Sequence, residues 1–176
     1  MDNQIHGGNW FFDTLNAWRV LDNVNLPSLE RAMSSFAPGG HVMSAAFPEE
    51  LKDLTARIKL RGYSPDVNGL VGREPGQYVT ATYYENLISF RTGEQKGRVI
   101  SMKGLLNGVK PDQRQGMKKT GTEYDFSSIV LYTDSYDGRV IHKFDFFAGP
   151  GATIVNGNAI FASMAANLAI GSGTVL

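Results

Sequence analysis

The sequence contains no cysteine. That excludes a disulfide framework, a cysteine nucleophile and any thiolate metal site. Histidine is scarce: His6, His41 and His142 stand alone, with no second ligand two or four residues away, so no metal centre is expected. Net charge is missing too. Lys plus Arg is 17 and Asp plus Glu is 17, so no global attraction to nucleic acid or an anionic membrane follows. No run of about 18 apolar residues occurs, as a membrane-spanning helix would need. The opening residues, MDNQIHGGNWFFDTLNAW, lack a basic stretch followed by an apolar run. No secretory leader and no membrane partner are therefore expected.

The usual catalytic signatures are also absent. Residues 108–121 read GVKPDQRQGMKKTG and look at first like a phosphate-binding loop. That motif places four residues between its glycines, then Lys, and opens a helix. Here Gly108 and Gly116 are separated by seven residues, and Met117 stands where the lysine should be. A strand pattern follows, so no helix N-terminus is offered to an anion. There is no G-x-S-x-G elbow. Glu49 and Glu50 sit near Lys52 and read as solvated charges. Trp10, Phe11, Phe12 and Trp18 lack interleaved basic residues, which favours core or interface packing over base stacking. The chain reads as a non-enzyme that needs no cofactor.

What is present is a globular composition, 42% hydrophobic, at a length that favours one domain, taken as 1–176. The 20 glycines are scattered, as in a turn-rich protein. DLTARIKLR (53–61) alternates strictly, Leu54, Ala56, Ile58 and Leu60 against polar neighbours, and predicts a half-buried strand. SPDVNGLVG (64–72) switches to helical period, with Ser64 at the cap, Pro65 at the first position and Gly72 at the stop. YVTATYYENLISFR (78–91) predicts a long strand with two mixed faces, suited to an interface or a solvated channel. RVISMKGLLN (98–107), TEYDFSSIVLYTD (122–134) and RVIHKFDFF (139–147) predict further strands, the last two joined by an Asp-Gly turn at 137–138. AGPGATIVNGN (148–158) reads as a loop with a short strand at 153–155. NAIFASMAANLAIG (158–171) predicts a C-terminal helix capped by Asn158 and ended by Gly171. The front gives one or two strands over 10–26. Residues 27–50 show little period apart from a possible short helix at Ser28, leaving a long loop at about 33–48. The fold class is mainly β, a barrel or sandwich of antiparallel strands with a short middle helix and a C-terminal helix. The 108–121 segment is a solvated tip in which Lys110, Arg114, Lys118 and Lys119 face only Asp112.

In order and spacing these segments resemble the major tail tube proteins of P2-like contractile phages, the FII family. The resemblance rests on NLPSLE (25–30), PGGHV (38–42), FPEELKDLTARIKLRGYSPDVNGLVG (47–72), TATYYENLISF, RVISMKGLLNGVKPDQRQGMKKTGTEYDFSSIVLYT and VNGNAIFASMAANLAIG (155–171). It covers nearly the whole chain. It implies a phage tail tube-like fold and subunits that close into hexameric rings. Rings would stack into the inner tube of a contractile tail, through which genome DNA passes without sequence-specific binding. The implied partners are a tail sheath protein, a tube initiator or baseplate, and a tail terminator. The implied setting is the virion tail, assembled in the host bacterial cytoplasm.

On that reading, Lys110, Asp112, Arg114, Lys118 and Lys119, with Phe36 and His41 of the 33–48 loop, are candidate inter-subunit contacts. DNA must slide, so a lumen should avoid a basic lining. Thr80, Thr82, Glu85 and Asn86 are the candidate lumen residues, with the inward face left open. Two alternatives remain: a tube protein of an R-type tailocin or type VI-like secretion system, and a small β-barrel nucleic-acid-binding module using the 10–18 aromatics and the 110–119 basics.

Overall fold

The computed structural model describes residues 3–171, so the first two and last five residues of the expected domain lie outside the described residues. Twelve strands and two short helices follow in order: β1 Asn3–Phe12, β2 Leu15–Asn16, β3 Leu21–Asn25, β4 Arg31–Phe36, β5 Ala45–Leu51, β6 Ala56–Arg61, α1 Pro65–Asn68, β7 Val79–Ser89, β8 Gln95–Pro111, β9 Gly121–Tyr136, β10 Arg139–Asp145, β11 Ile154–Val155, β12 Asn158–Ala159 and α2 Ala162–Asn167. A single 3-10 turn occupies Pro150–Ala152. All strand pairs are antiparallel.

The frame is the long β8–β9 ribbon. Its lower half, Arg98–Lys103 against Leu131–Tyr136, sits in the middle of the large sheet, ordered β12-β11-β10-β9-β8-β7-β1-β2. Its upper half leaves that sheet, and β9 there pairs with β6, which pairs with β3. Two register shifts in β8, between Lys103/Leu105 and Leu106/Gly108, and a left-handed Ser128 (φ 52) mark the bend. Gly104 lies inside it; a Cβ there would stand 2.8 Å from the Ser127 carbonyl, so no side chain fits. The two layers enclose one core of fully buried Trp10, Phe12, Ile58, Leu60, Val79, Ile100, Met102, Leu106, Tyr124 and Phe126.

Several expectations hold. The 53–61 alternation is β6, with Ala56, Ile58 and Leu60 inside. Asp137 (φ 50) and Gly138 (φ 77) form the tight turn between β9 and β10. The middle helix is a single turn, shorter than 64–72; Gly72 is left-handed (φ 77) and its N–H donates to the Leu106 carbonyl.

Others are corrected. The 33–48 segment is no loop, and no helix starts at Ser28: β4 and β5 form a separate two-stranded hairpin with its tip at 37–44. Strand β1 starts at Asn3 rather than near Trp10 because it pairs along β7 from Asn3↔Ser89 to Phe12↔Ala81. The C-terminal helix is only Ala162–Asn167. Asn158 pairs with Val155 in β12 instead of capping it, and Phe161 takes the cap position. The tip expected at 108–121 shortens to 112–120, because Gly108–Pro111 pair with Thr122–Asp125. The expected two-faced strand has one dry face: Val79, Ala81 and Glu85 are buried and Tyr83 is half-buried.

Candidate assembly surfaces

Alternation along β7, β8, β9 and β10 gives the large sheet an outward face, and the register aligns it in rows. One row runs Phe11, Thr82, Ser101, Thr133, Lys143; the next runs Thr80, Lys103, Leu131, Asp145; a third runs Asn9, Tyr84, Val99, Ser135, Val140. The face is rich in hydroxyls and nearly free of charge. Its charged groups along these rows are Lys103, Lys143 and Asp145, and the Asp145 carboxylate accepts the Phe147 and Ala148 N–H groups at 3.1 Å each. Thr80, Thr82 and Asn86 all lie here, and Asn86 donates to Gln95. Glu85 does not. It lies on the opposite face, with its side chain 5% exposed.

Glu85 is buried because Arg98 and Asp134 are. Arg98 is the direct cross-strand partner of Glu85 and bonds it at 3.1 Å; the same guanidinium holds both oxygens of Asp134 at 2.8 and 2.9 Å. The group thus ties β7, β8 and β9 together. The hydrogen bond to Asp134 raises the guanidinium pKa further still. Beside it, burial pushes the Tyr132 hydroxyl up to about 12, with Asp134 adding to the shift.

The wet face of the smaller sheet layer, formed by β3, β6 and the upper halves of β8 and β9, is different. It is charged and self-neutralised: Arg57–Asp125 at 3.2 Å, Lys59–Asp112 at 2.8 Å, Arg61–Asp22 at 3.0 Å and Lys110–Asp125 at 2.6 Å. Two expected contact residues, Lys110 and Asp112, are therefore held within the subunit. Asp112 also accepts the Gly121 N–H at 3.0 Å, which closes the base of the tip. Arg114, Lys118 and Lys119 remain exposed on the tip without an acidic partner among the described residues.

The Lys59 and Gly121 hydrogen bonds hold the Asp112 carboxyl below its ordinary 3.8, and Asp112 in turn raises Lys59 above 10.5. A depressed carboxylate adds stability that is fully present above 3.8 and is lost as pH falls through its lower folded value. The raised lysine acts oppositely, its contribution fading only as pH climbs past its own raised value. Asp112→Asn should therefore melt below the wild type at neutral pH, and the two melting curves should converge as pH falls below 3.8. A constant gap across that range, read by circular dichroism, would refute the linkage.

The β4–β5 hairpin is the third surface. Between Arg31 and Glu49 it carries no Asp, Glu, Lys or Arg, and His41 is its one titratable residue. Cross-strand pairing puts Ser34, Phe36, Ala45 and Phe47 on one face and Met33, Ser35, Ala46 and Pro48 on the other. Phe36 is 60% exposed, His41 is exposed, and Val42 and Met43 at the tip are exposed at 106% and 78%. A hairpin apolar and open on both faces is unusual in a monomer. Phe36 and His41 thus share one surface, while the 112–120 cations belong to another.

The strand architecture has a counterpart among known proteins. The sequence matches the family described as phage tail tube protein FII over residues 2–169. The chain belongs to that family. The resemblance inferred from segment order is thereby established, and with it the tail-tube fold. Two solved structures share the architecture of this tail tube protein. One belongs to the sheath–tube complex of the PVC extracellular contractile injection system in its extended state: 6% identity, TM-score 0.55, covering 73% of this chain and 87% of that one. The other belongs to the sheath/tube terminator of the same system, with 7% identity, TM-score 0.54 and coverage of 73% and 92%. At such identities the likeness is one of fold. No curated protein matches the tail tube sequence.

Sequence reasoning missed the Arg98 bridge and the Lys103 and Lys143 positions. Each is one residue in an alternating strand, and only the register shows that Arg98 meets two carboxylates while the two lysines meet none among the described residues.

Proposed function

We propose that this chain, acting as a single tail-tube domain, forms hexameric rings that stack head to tail into the inner tube of a contractile tail. The exposed β4–β5 hairpin, uncharged from Ala32 to Pro48, carries this reading. Exposed Phe36, Phe47, Val42 and Met43 gain from burial against a second copy. A repeated heterologous contact of this kind extends into a filament instead of closing. Two open edges support ring closure: among the described residues, β1 from Asn3 to Asn9 pairs only with β7, and β3 pairs only with β6. Such edges are completed by a neighbour's strand.

The hydroxyl face of Thr80, Thr82, Asn86, Ser101 and Thr133 lines the lumen, through which genome DNA travels to the host. The self-paired charged face of the smaller sheet points away from it. Arg114, Lys118 and Lys119 meet acidic groups on the next ring. The outer partners are a tail sheath protein, a tube initiator or baseplate, and a terminator. The protein works in the virion tail after assembly in the host cytoplasm.

Reversing the tip charges, with Arg114→Glu, Lys118→Glu and Lys119→Glu together, should raise the protein concentration needed for tube growth about tenfold. Rings or short tubes should accumulate, as counted by electron microscopy. Tubes of unchanged length and yield would rule out the tip as a ring-to-ring contact.

A further inference from the structure

On the reading that the hydroxyl face lines the lumen, its charges depart from the expectation that a lumen avoids a basic lining. Lys103 projects from β8 and is exposed; Lys143 projects from β10 and is half-exposed. Both lie on the outward face, in adjacent rows through Leu131 and Thr133 of β9. Neither has an ion-pair or hydrogen-bond partner among the described residues, whereas Arg57, Lys59, Arg61 and Lys110 on the smaller sheet each hold a carboxylate. The nearest acid by register, Asp145, is occupied by two backbone N–H groups. Around the lysines lie the hydroxyls of Thr80, Ser101 and Thr133, and aromatic pairs stand toward two edges of the face: Phe11–Tyr84 at 5.5 Å and Tyr78–Phe147 at 6.3 Å between centroids.

We infer that Lys103 and Lys143 contact the phosphate backbone of nucleic acid at this face. The charge complementarity favours a polyanion: two ammonium groups without an ion-pair partner among the described residues, against one carboxylate, Asp145, which already accepts two backbone N–H groups, and hydroxyls that can accept or donate to a sugar–phosphate chain. Lysine suits a moving ligand. It is a hydrated point charge on a flexible stem and imposes no fixed fork on a phosphate. Every ring adds the same two groups from each subunit, so the potential along the tube is periodic and advance by one ring leaves the energy unchanged. The contact holds a polyanion on the tube axis without a preferred sequence, and its strength falls with salt because it rests on counterion release.

The test is binding of a fluorescent duplex DNA fragment to the full chain over a range of salt, for wild type, Lys103→Gln/Lys143→Gln, and Lys103→Arg/Lys143→Arg. The face is open in the free subunit, so the assay applies to free chains and to tubes. The glutamine pair should fold as wild type, since neither lysine has a partner to lose. Its binding should weaken at least tenfold, with the slope of log K against log salt shallower by about 0.9 for each phosphate that is no longer neutralised; the arginine pair should retain binding. No wild-type binding, or equal binding and slope in the glutamine pair, would overturn the proposal. A second measurement separates it from the lumen reading on which it rests. In assembled tubes, a small amine reagent should modify both lysines while a bulky polymer-linked one reaches neither. Modification of both by the bulky reagent would place the face outside the tube. If the glutamine pair still lost DNA binding, the phosphate contact would stand and the lumen placement would fall.

Discussion

Replacing Val42 and Met43 by aspartate should leave a folded subunit that no longer forms tubes. The two side chains are at the tip of the β4–β5 hairpin and exposed at 106% and 78%, so the subunit's own core does not depend on them. In a tube, burial of each against a neighbour would be worth about 1.5–3 kcal/mol, and a buried unpaired aspartate adds a desolvation cost on top. A loss of about 3 kcal/mol at each interface raises the concentration needed for assembly on the order of a hundredfold. Every subunit carries the same defect, so the losses repeat around and along the tube. Thermal melting of the free subunit should stay within about 0.5 kcal/mol of wild type, as for surface changes. Filaments should vanish from electron micrographs at concentrations where wild type polymerises. Normal filaments from the variant would remove the hairpin from the interface.

The second large effect is internal. Arg98→Met should cost stability near the lower end of the about 3–5 kcal/mol found when one partner of a buried ion pair is removed. It leaves Glu85 and Asp134, with side chains 5% and 7% exposed, facing each other without their shared cation. The guanidinium itself is 30% exposed, and this solvent access sets the lower end of the range. At roughly 2–4 °C per kcal/mol for a chain of this size, the melting midpoint should drop by about 6–12 °C. Lys52→Met, which breaks the exposed Lys52–Glu30 pair, is the control and should change stability by less than about 1 kcal/mol. Equal small shifts for both variants would show that the bridge does not hold β7, β8 and β9 together. Because that bridge fixes the register of the large sheet, the arginine variant should also assemble poorly. The variant with aspartate at Val42 and Met43 separates the two causes, since it fails to assemble while melting normally.

These two sites mark the limits of the sequence. Alternation is enough for β6, where Ala56, Ile58 and Leu60 face one core, and an Asp-Gly pair is enough for the turn at 137–138. The β4–β5 hairpin is not legible, because its faces are both exposed. With neither face paired to a core, its run of Ala, Ser, Met and Phe carries no inside–outside period, and it reads as a loop. The C-terminal helix reads as too long because Ile160 falls on a helical stripe with Met164 and Leu168 and Asn158 suits a cap, but both are drawn into pairing with β11 and its flanks. Of the four lumen candidates, Thr80, Thr82 and Asn86 share a face. Glu85 lies on the other, and its partner Arg98 is 13 residues away in a different strand. The tip cations Arg114, Lys118 and Lys119 are exposed as the sequence suggests, but Lys110 and Asp112 are held inside the subunit by pairing with Asp125 and Lys59.

In the proposed assembly, this tail tube protein builds a tube whose inner wall is the outward face of the large sheet. Electron microscopy of the purified chain at high concentration, followed by helical reconstruction, tests it most directly. The expected result is hollow filaments or stacked six-fold rings, with Thr82, Ser101 and Thr133 on the inner wall and the β4–β5 hairpin between subunits. Single copies at every concentration, or tubes with the hydroxyl face turned outward, would contradict it.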